Sequence, residues 1–255
     1  MKKIGVLAVR THNYGSLLQT YALQKVLDNM GYQNEIILYK KTNYAKQALR
    51  LLNIPLLKQT LAKVEKKIIT KTKHKELESL FSGRTEAFDS FIKRYLRFSK
   101  VYVGRNELIN GTKEYDGFVL GSDQVWNPMI TGGIDPVYWG KFAPSHAKVV
   151  SYAASSGALK LFDAVLDINS LLKNFSSISV REDRLLNFVE QHSKKATLVL
   201  DPTLMADADI LSRITTERIV QKPYVLVYAV ESSPLLMEVA RKKAKSLKAK
   251  LIKVS

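Results

Sequence analysis

The chain has 255 residues, 46% apolar and 25% charged, which is enough apolar material for a packed core and not a disordered composition. It contains no cysteine. That excludes disulfides, thiolate metal sites and cysteine nucleophiles, and it suits a reducing, cytoplasmic compartment. The formal net charge of +17 is concentrated in one segment: residues 40–75 carry eleven Lys/Arg against a single acid, Glu65, and so supply ten of the seventeen charges.

Two lysines open the chain, but the apolar run behind them stops at Arg10 after six residues, short of the roughly 7–15 of an export signal. A buried strand over 4–9 fits better. Nor does any stretch approach the ~20 apolar residues of a spanning helix. Thr11–Gly15 is a polar loop. Ser16 is a suitable N-cap for an amphipathic helix to Met30, with Gly31 as its stop and a second strand over Glu35–Tyr39. Strand, helix and strand in this order make a βαβ unit and imply a parallel sheet.

Residues 42–98 have helical composition, with expected breaks near Asn53-Ile54-Pro55 and Ser82-Gly83. Strands follow at Tyr115–Leu120, Lys148–Tyr152, Ser177–Val180 and Leu198–Leu200, with a helix over about 184–192. Each strand ends in a polar or glycine-containing turn: Gly121–Pro128, Ala153–Gly157, Arg181–Asp183 and Asp201-Pro202-Thr203. In open α/β sheets such turns line the crevice where ligands bind. After Gln221-Lys222-Pro223, which reads as a linker, a strand (224–230), a helix (234–247) and a strand (250–254) begin a new unit. The expected division is a Rossmann-like domain over 1–221 and the first βαβ of a second, unfinished one over 222–255.

Four segments can carry chemistry. His12-Asn13-Tyr14-Gly15-Ser16-Leu17-Leu18-Gln19 joins a strand to a helix start, where unpaired N–H groups suit an anion, although a plain capped turn explains it equally. In Gly121-Ser122-Asp123-Gln124-Val125-Trp126, Asp123 is suited to acid or base work, Ser122 and Gln124 to hydrogen bonding, and Trp126 to stacking on a sugar. The competing reading is a network that only locks the loop. Arg181 offers a bidentate fork to carboxylate or phosphate, against an ion pair with Glu182 or Asp183. Asp201-Pro202-Thr203 reads as a turn cap holding the site from behind. The histidines at 12, 74, 146 and 192 have no metal-ligand spacing, and no P-loop, HExxH or GxSxG is present.

Together these pieces resemble the polysaccharide pyruvyl transferase family. The match runs through Asn13-Tyr14-Gly15-Ser16-Leu17-Leu18-Gln19-Thr20-Tyr21-Ala22-Leu23-Gln24, Gly121–Pro128, Val150–Gly157, Ser179-Val180-Arg181-Glu182 and Leu200-Asp201-Pro202-Thr203, five segments in order. The resemblance implies two Rossmann-like domains as in the B-type glycosyltransferases, of which this chain holds the N-terminal one and the start of the next. It implies transfer of a pyruvyl unit from phosphoenolpyruvate to a saccharide acceptor of a cell-surface or exopolysaccharide intermediate, often lipid-linked, with no metal or nucleotide cofactor.

Under this reading Arg181 and Asp123 are the catalytic candidates. His12, Asn13, Tyr14, Gly15, Gln19, Gly121, Ser122, Gln124, Trp126, Ser155 and Glu182 are the candidate substrate-binding residues. Family members carry a Ser/Asp–His–Gly-like segment further along the second domain. The sequence ends at Ser255 before one, so a truncated second domain is expected and the general acid stays unassigned.

Three other readings remain beside this one. A nucleotide-sugar transferase would use the same architecture. A non-catalytic scaffold would need no complete second domain. A nucleic-acid binder would use residues 40–75, but that segment has only Tyr44 as an aromatic and no reader motif, so no nucleic acid is expected. For the same segment, a solvated helical face and contact with anionic lipid at the inner face of the membrane are the two open roles.

Overall fold

A computed structural model of the chain describes residues 1–9, 13–42, 74–157, 167–192, 195–229 and 233–254. The chain forms two compact units, Met1–Leu211 and Ser212–Ser255.

In the first unit, β1 (Lys3–Leu7), α1 (Tyr14–Asn29) and β2 (Gln33–Lys40) make the βαβ unit expected from the sequence. Asn13 rather than Ser16 caps α1: its Oδ1 accepts from Ser16 N at 2.7 Å, as an N-cap side chain satisfies one of the first-turn donors. At the other end Gly31, at φ 80°, allows Tyr32 N to reach Leu27 O and Gly31 N to reach Asp28 O, a Schellman stop.

The chain continues through α2 (His74–Tyr95), β3 (Phe98–Val103), α3 (Arg105–Gly111) and β4 (Gly117–Asp123). A short α4 (Pro128–Thr131) and a 3-10 turn (Pro136–Trp139) lead to β5 (Lys148–Ala154). Then come α5 (Ile168–Leu172), β6 (Ser177–Val180), α6 (Asp183–Gln191), β7 (Thr197–Leu198), α7 (Pro202–Met205) and α8 (Ala208–Ser212).

All seven strands pair in parallel in the order β3-β2-β1-β4-β5-β6-β7. This is an α/β, Rossmann-like sheet. Alternation along the strands explains its two apolar faces: Val6, Ala8 and Val119 join Leu23 and Leu27 of α1, while Leu7, Val9, Phe118 and Leu120 face the larger cluster around Trp126, Trp139 and Phe175. Helix α1 is buried on its far side as well, where Tyr21 meets Phe91 and Tyr95 of α2 edge-on. Buried Gln24 ties α1 to the start of β3 by donating to Arg97 O and accepting from Arg97 N, both at 3.1 Å.

Several boundaries differ from the sequence reading. Helix α2 runs through Ser82-Gly83 without a break, because Gly83 faces open space and one glycine weakens a 22-residue helix by only about 1 kcal/mol. Strand β4 extends through Gly121-Ser122-Asp123, since Gly121 and Asp123 still pair with Tyr152 and Ala154 of β5. Strand β3 and helix α3 lie within or just after the region read as helical or left unassigned. The expected break at 53–55 and the helices around it lie outside the described residues.

The second unit holds β8 (Tyr224–Tyr228), α9 (Pro234–Ser246) and β9 (Lys250–Val254), with β8 and β9 parallel. Ser233 caps α9 by accepting from Leu236 N, with Pro234 at the first helical position. Among the described residues no helix is long and apolar enough to cross a membrane.

Candidate functional site

Strand order reverses between β1 and β4: the chain moves outward from β1 to β3, then returns to place β4 on the other side of β1. At such a switch point the loops beyond the strands' carboxyl ends diverge and leave a crevice. A cleft of about 370 Å³ lies there. Asn13, Gly15, Ser16 and Gln19 line it from the start of α1, Asp123 and Gln124 from the end of β4, Arg181 from the end of β6, and Asp201 and Thr203 from the turn after β7.

The end of β4 is shaped by its backbone. Gly121 has φ 126°, and a Cβ there would lie 2.2 Å from Tyr152 O, so only glycine fits. Asp123 is left-handed at φ 75°, a conformation that aspartate tolerates better than most residues. That turn lets Asp123 O accept from both Val125 N (2.8 Å) and Ser155 N (3.0 Å), which ties the loop to the end of β5. Asn127 braces it further, capping α4 through Met129 N and donating to Gln124 Oε1. The backbone of this segment locks the loop, and the side chains of Asp123 and Gln124 line the cleft.

Among the described residues that line the cleft Arg181 is the cation, and the carboxylates of Asp201, Asp123 and Glu182 surround it. Asp201 Oδ2 accepts from its Nη1 at 2.8 Å; Asp123 Oδ1 lies 3.7 Å from Nη2 and Glu182 Oε1 3.5 Å from Nε. Only the first is within ordinary N–H···O length. Burial opposes the guanidinium charge, but the Asp201 hydrogen bond and the charges of Glu182, Asp201 and Asp123 outweigh it and raise the pKa. The arginine is therefore held from its Nη1 side, while its Nε/Nη2 edge has looser neighbours. Asp201 is fixed in turn, since its Oδ1 accepts from Thr203 N (3.0 Å) and Thr203 Oγ1 (2.8 Å). Glu182 Oε2 is buried and has no hydrogen-bond partner among the described residues.

The structure brings Asn13, Gly15, Gln19, Asp123, Gln124 and Arg181 together at the cleft. Ser122 sits beneath it, donating to Gln19 Oε1 at 2.5 Å. Tyr14 is exposed and rests on Phe88. Trp126 is a correction. It is 1% exposed, stacked on Trp139 with ring centroids 4.7 Å apart, and its indole N–H is spent on Tyr138 O, so it has no face for a sugar. Ser155 is likewise buried at 1%, its carbonyl accepting from Trp126 N and its hydroxyl from Gly157 N; it braces the loop and does not face the cleft. His12 lies outside the described residues.

Sequence reasoning gave Asp201 and Thr203 only a supporting part, yet both line the cleft. The available signal was a capping Asp-Pro-Thr turn directly after a strand: a cap side chain at the carboxyl end of a sheet is also within reach of whatever binds there. A second cavity of about 540 Å³, with polar and apolar surface in similar shares, lies over β1 and β2 and shares Ile130 with the cleft.

An all-parallel, doubly wound sheet with polar side chains gathered at its switch point defines a Rossmann-like protein with a crevice suited to a small polar ligand. The chain belongs to the polysaccharide pyruvyl transferase family, whose model matches residues 13–254, nearly its whole length. Membership implies a transferase. Comparison with curated proteins gives no significant match.

Proposed function

We propose that the chain transfers pyruvyl from phosphoenolpyruvate to two hydroxyls of a saccharide, forming a ketal in the synthesis of a cell-surface polysaccharide. The observation that carries this reading is Arg181, held by Asp201 at the switch-point cleft of a chain that belongs to the pyruvyl transferase family. Its Nε/Nη2 edge matches the geometry of a carboxylate or phosphate.

In the reaction the methylene carbon of the donor takes a proton and the neighbouring carbon becomes cationic. One sugar hydroxyl adds there and releases its proton; the carbon–oxygen bond to phosphate breaks; the second hydroxyl closes the ketal. Of the two hydroxyl protons, one balances that on the new methyl group and the other leaves with inorganic phosphate. Arg181 is the residue suited to stabilise the anionic donor, and Asp123 the one suited to accept a hydroxyl proton.

The test combines the full chain with phosphoenolpyruvate and a panel of saccharides bearing free diols. Expected are phosphate release that depends on the saccharide, and a product heavier than the acceptor by pyruvate less one water. A thermal-shift comparison provides the control. Stabilisation by nucleotide sugars and not by phosphoenolpyruvate, with no phosphate released, would replace this reading with sugar transfer.

A further inference from the structure

Gln19 is one of the residues that line the cleft from α1. It is 6% exposed, on the second turn of α1, yet its side chain reaches the cleft wall. Ser122 Oγ lies 2.5 Å from its Oε1. In this bond the serine hydroxyl is the donor and the amide oxygen the acceptor. Asp201 Oδ2, 3.5 Å from Ser122 Oγ, is too distant to compete for that proton.

Fixing the oxygen fixes the other end of the amide. Nε2 then points away from Ser122, and among the described residues it meets no hydrogen-bond partner, although it is not sealed from solvent. Its N–H groups therefore open to the cleft, where water or the acceptor atoms of a ligand satisfy them. The same cleft holds the Nε/Nη2 edge of Arg181, a second set of donors not taken up at hydrogen-bond length.

We infer that Gln19 is a specificity-determining donor of this cleft. Its amide is oriented by Ser122 so that the NH₂ group, together with Arg181, binds a group made only of acceptors, a carboxylate or phosphate. Ser122 is thus a positioning residue and not a nucleophile. The inference rests on the pyruvyl-transfer reading for the identity of the anion, phosphoenolpyruvate, but the same chemistry would serve the diphosphate of a nucleotide sugar.

Calorimetric titration of the full chain with phosphoenolpyruvate, a uridine diphosphate sugar and inorganic phosphate separates these sources. Gln19→Glu keeps size and the oxygen facing Ser122 but replaces the donor by a second acceptor. It should weaken binding of the anion at least about tenfold at pH 8. Part of that deficit should return at pH 5, as the introduced carboxyl regains a proton it can donate. Ser122→Ala should weaken binding about threefold to tenfold in the natural chain and add little in Gln19→Glu, because no amide is left to orient.

A serine that merely supports the fold would give the same loss in both backgrounds, and that result overturns the inference. So does wild-type affinity in folded Gln19→Glu, or binding of none of the three anions by the natural chain. If the coupling appears with the nucleotide sugar and not with phosphoenolpyruvate, the role of Gln19 stands and the pyruvyl donor falls.

Discussion

Arg181 and Asp201 meet through a single 2.8 Å bond from Nη1 to Oδ2, and this contact decides which side of the guanidinium faces the cleft. The arginine leaves β6 with its backbone N–H already given to Ala154 O, so its main chain is fixed by the sheet and its side chain by the turn after β7. A lysine at 181 would keep the charge but could not bond Asp201 and a ligand through separate edges of one plane. Arg181→Lys should therefore raise the dissociation constant for phosphoenolpyruvate at least about tenfold, equivalent to about 1.4 kcal/mol. Asp201→Ala also removes the cap of α7, and should lower stability by about 2 kcal/mol in urea denaturation. An Arg181→Lys protein that binds the donor as tightly as the natural chain would remove Arg181 from the site.

Two glycines make a sharp contrast. Gly121 combines φ 126° with a backbone oxygen 2.2 Å from where a Cβ would stand, whereas Gly83 lies exposed in the middle of α2 with nothing within 4 Å. Gly121→Ala is expected to cost more than about 3 kcal/mol, because neither the strand nor the carbonyl of Tyr152 can move aside cheaply. Gly83→Ala is expected to add about 0.5–1 kcal/mol by restoring helix propensity. Thermal melts followed by circular dichroism would compare them directly, and similar melting points would contradict this geometry.

Trp126 belongs to the stability of the protein and not to its ligand contacts. Its ring lies within 3° of parallel to Trp139 and meets Phe175 edge-on, with the N–H bonded to Tyr138 O at 3.0 Å. Trp126→Phe should cost about 1–2 kcal/mol for the lost stack and hydrogen bond, and Trp126→Ala about 3–5 kcal/mol for the cavity. Phosphoenolpyruvate affinity of folded Trp126→Phe should stay within about twofold of the natural value, since no indole atom reaches the cleft. A selective loss of binding with unchanged stability would restore the stacking role.

How far the sequence carried depended on whether the signal was local. The βαβ start, the existence of β4, β5 and β6 and the second unit's strand–helix–strand were legible, although several strand ends were off by two or three residues, because apolar alternation, Gly31 and Pro234 act within a few residues of themselves. Trp126 was misplaced because burial is settled by residues remote in sequence: Trp139, Phe175 and Tyr138 arrive from other segments to enclose it. The same holds for Ser122 and Gln19, 103 residues apart, whose bond orients an amide in a way no spacing announces. Asp201 had a local signal, its cap to Thr203, which concealed the longer-range bond to Arg181.

Alkaline pH offers a test of the packing beside the cleft. The phenol of Tyr138 is pushed up to about 12 from its usual 10, first by burial and then by the charge of Asp135. Burial also raises Tyr39, which donates to Asp135, and Tyr115, which donates to Glu35. For each, the folded pKa lies above the unfolded one, so the folded state keeps a proton that the unfolded chain releases. The stability this contributes is whole below pH 10 and is lost as pH rises toward the folded value. For Tyr138 the full two-unit window is worth about 3 kcal/mol, and by pH 11 about 1 kcal/mol of it should be gone. Tyr138→Phe keeps the ring and its contact with Tyr39 while removing the titrating group. Relative to the natural chain, the variant should therefore gain about 1 kcal/mol in urea denaturation between pH 8 and pH 11. An identical difference at the two pH values would show that this phenol titrates alike in the folded and unfolded states, and that its burial exerts no such hold on the proton.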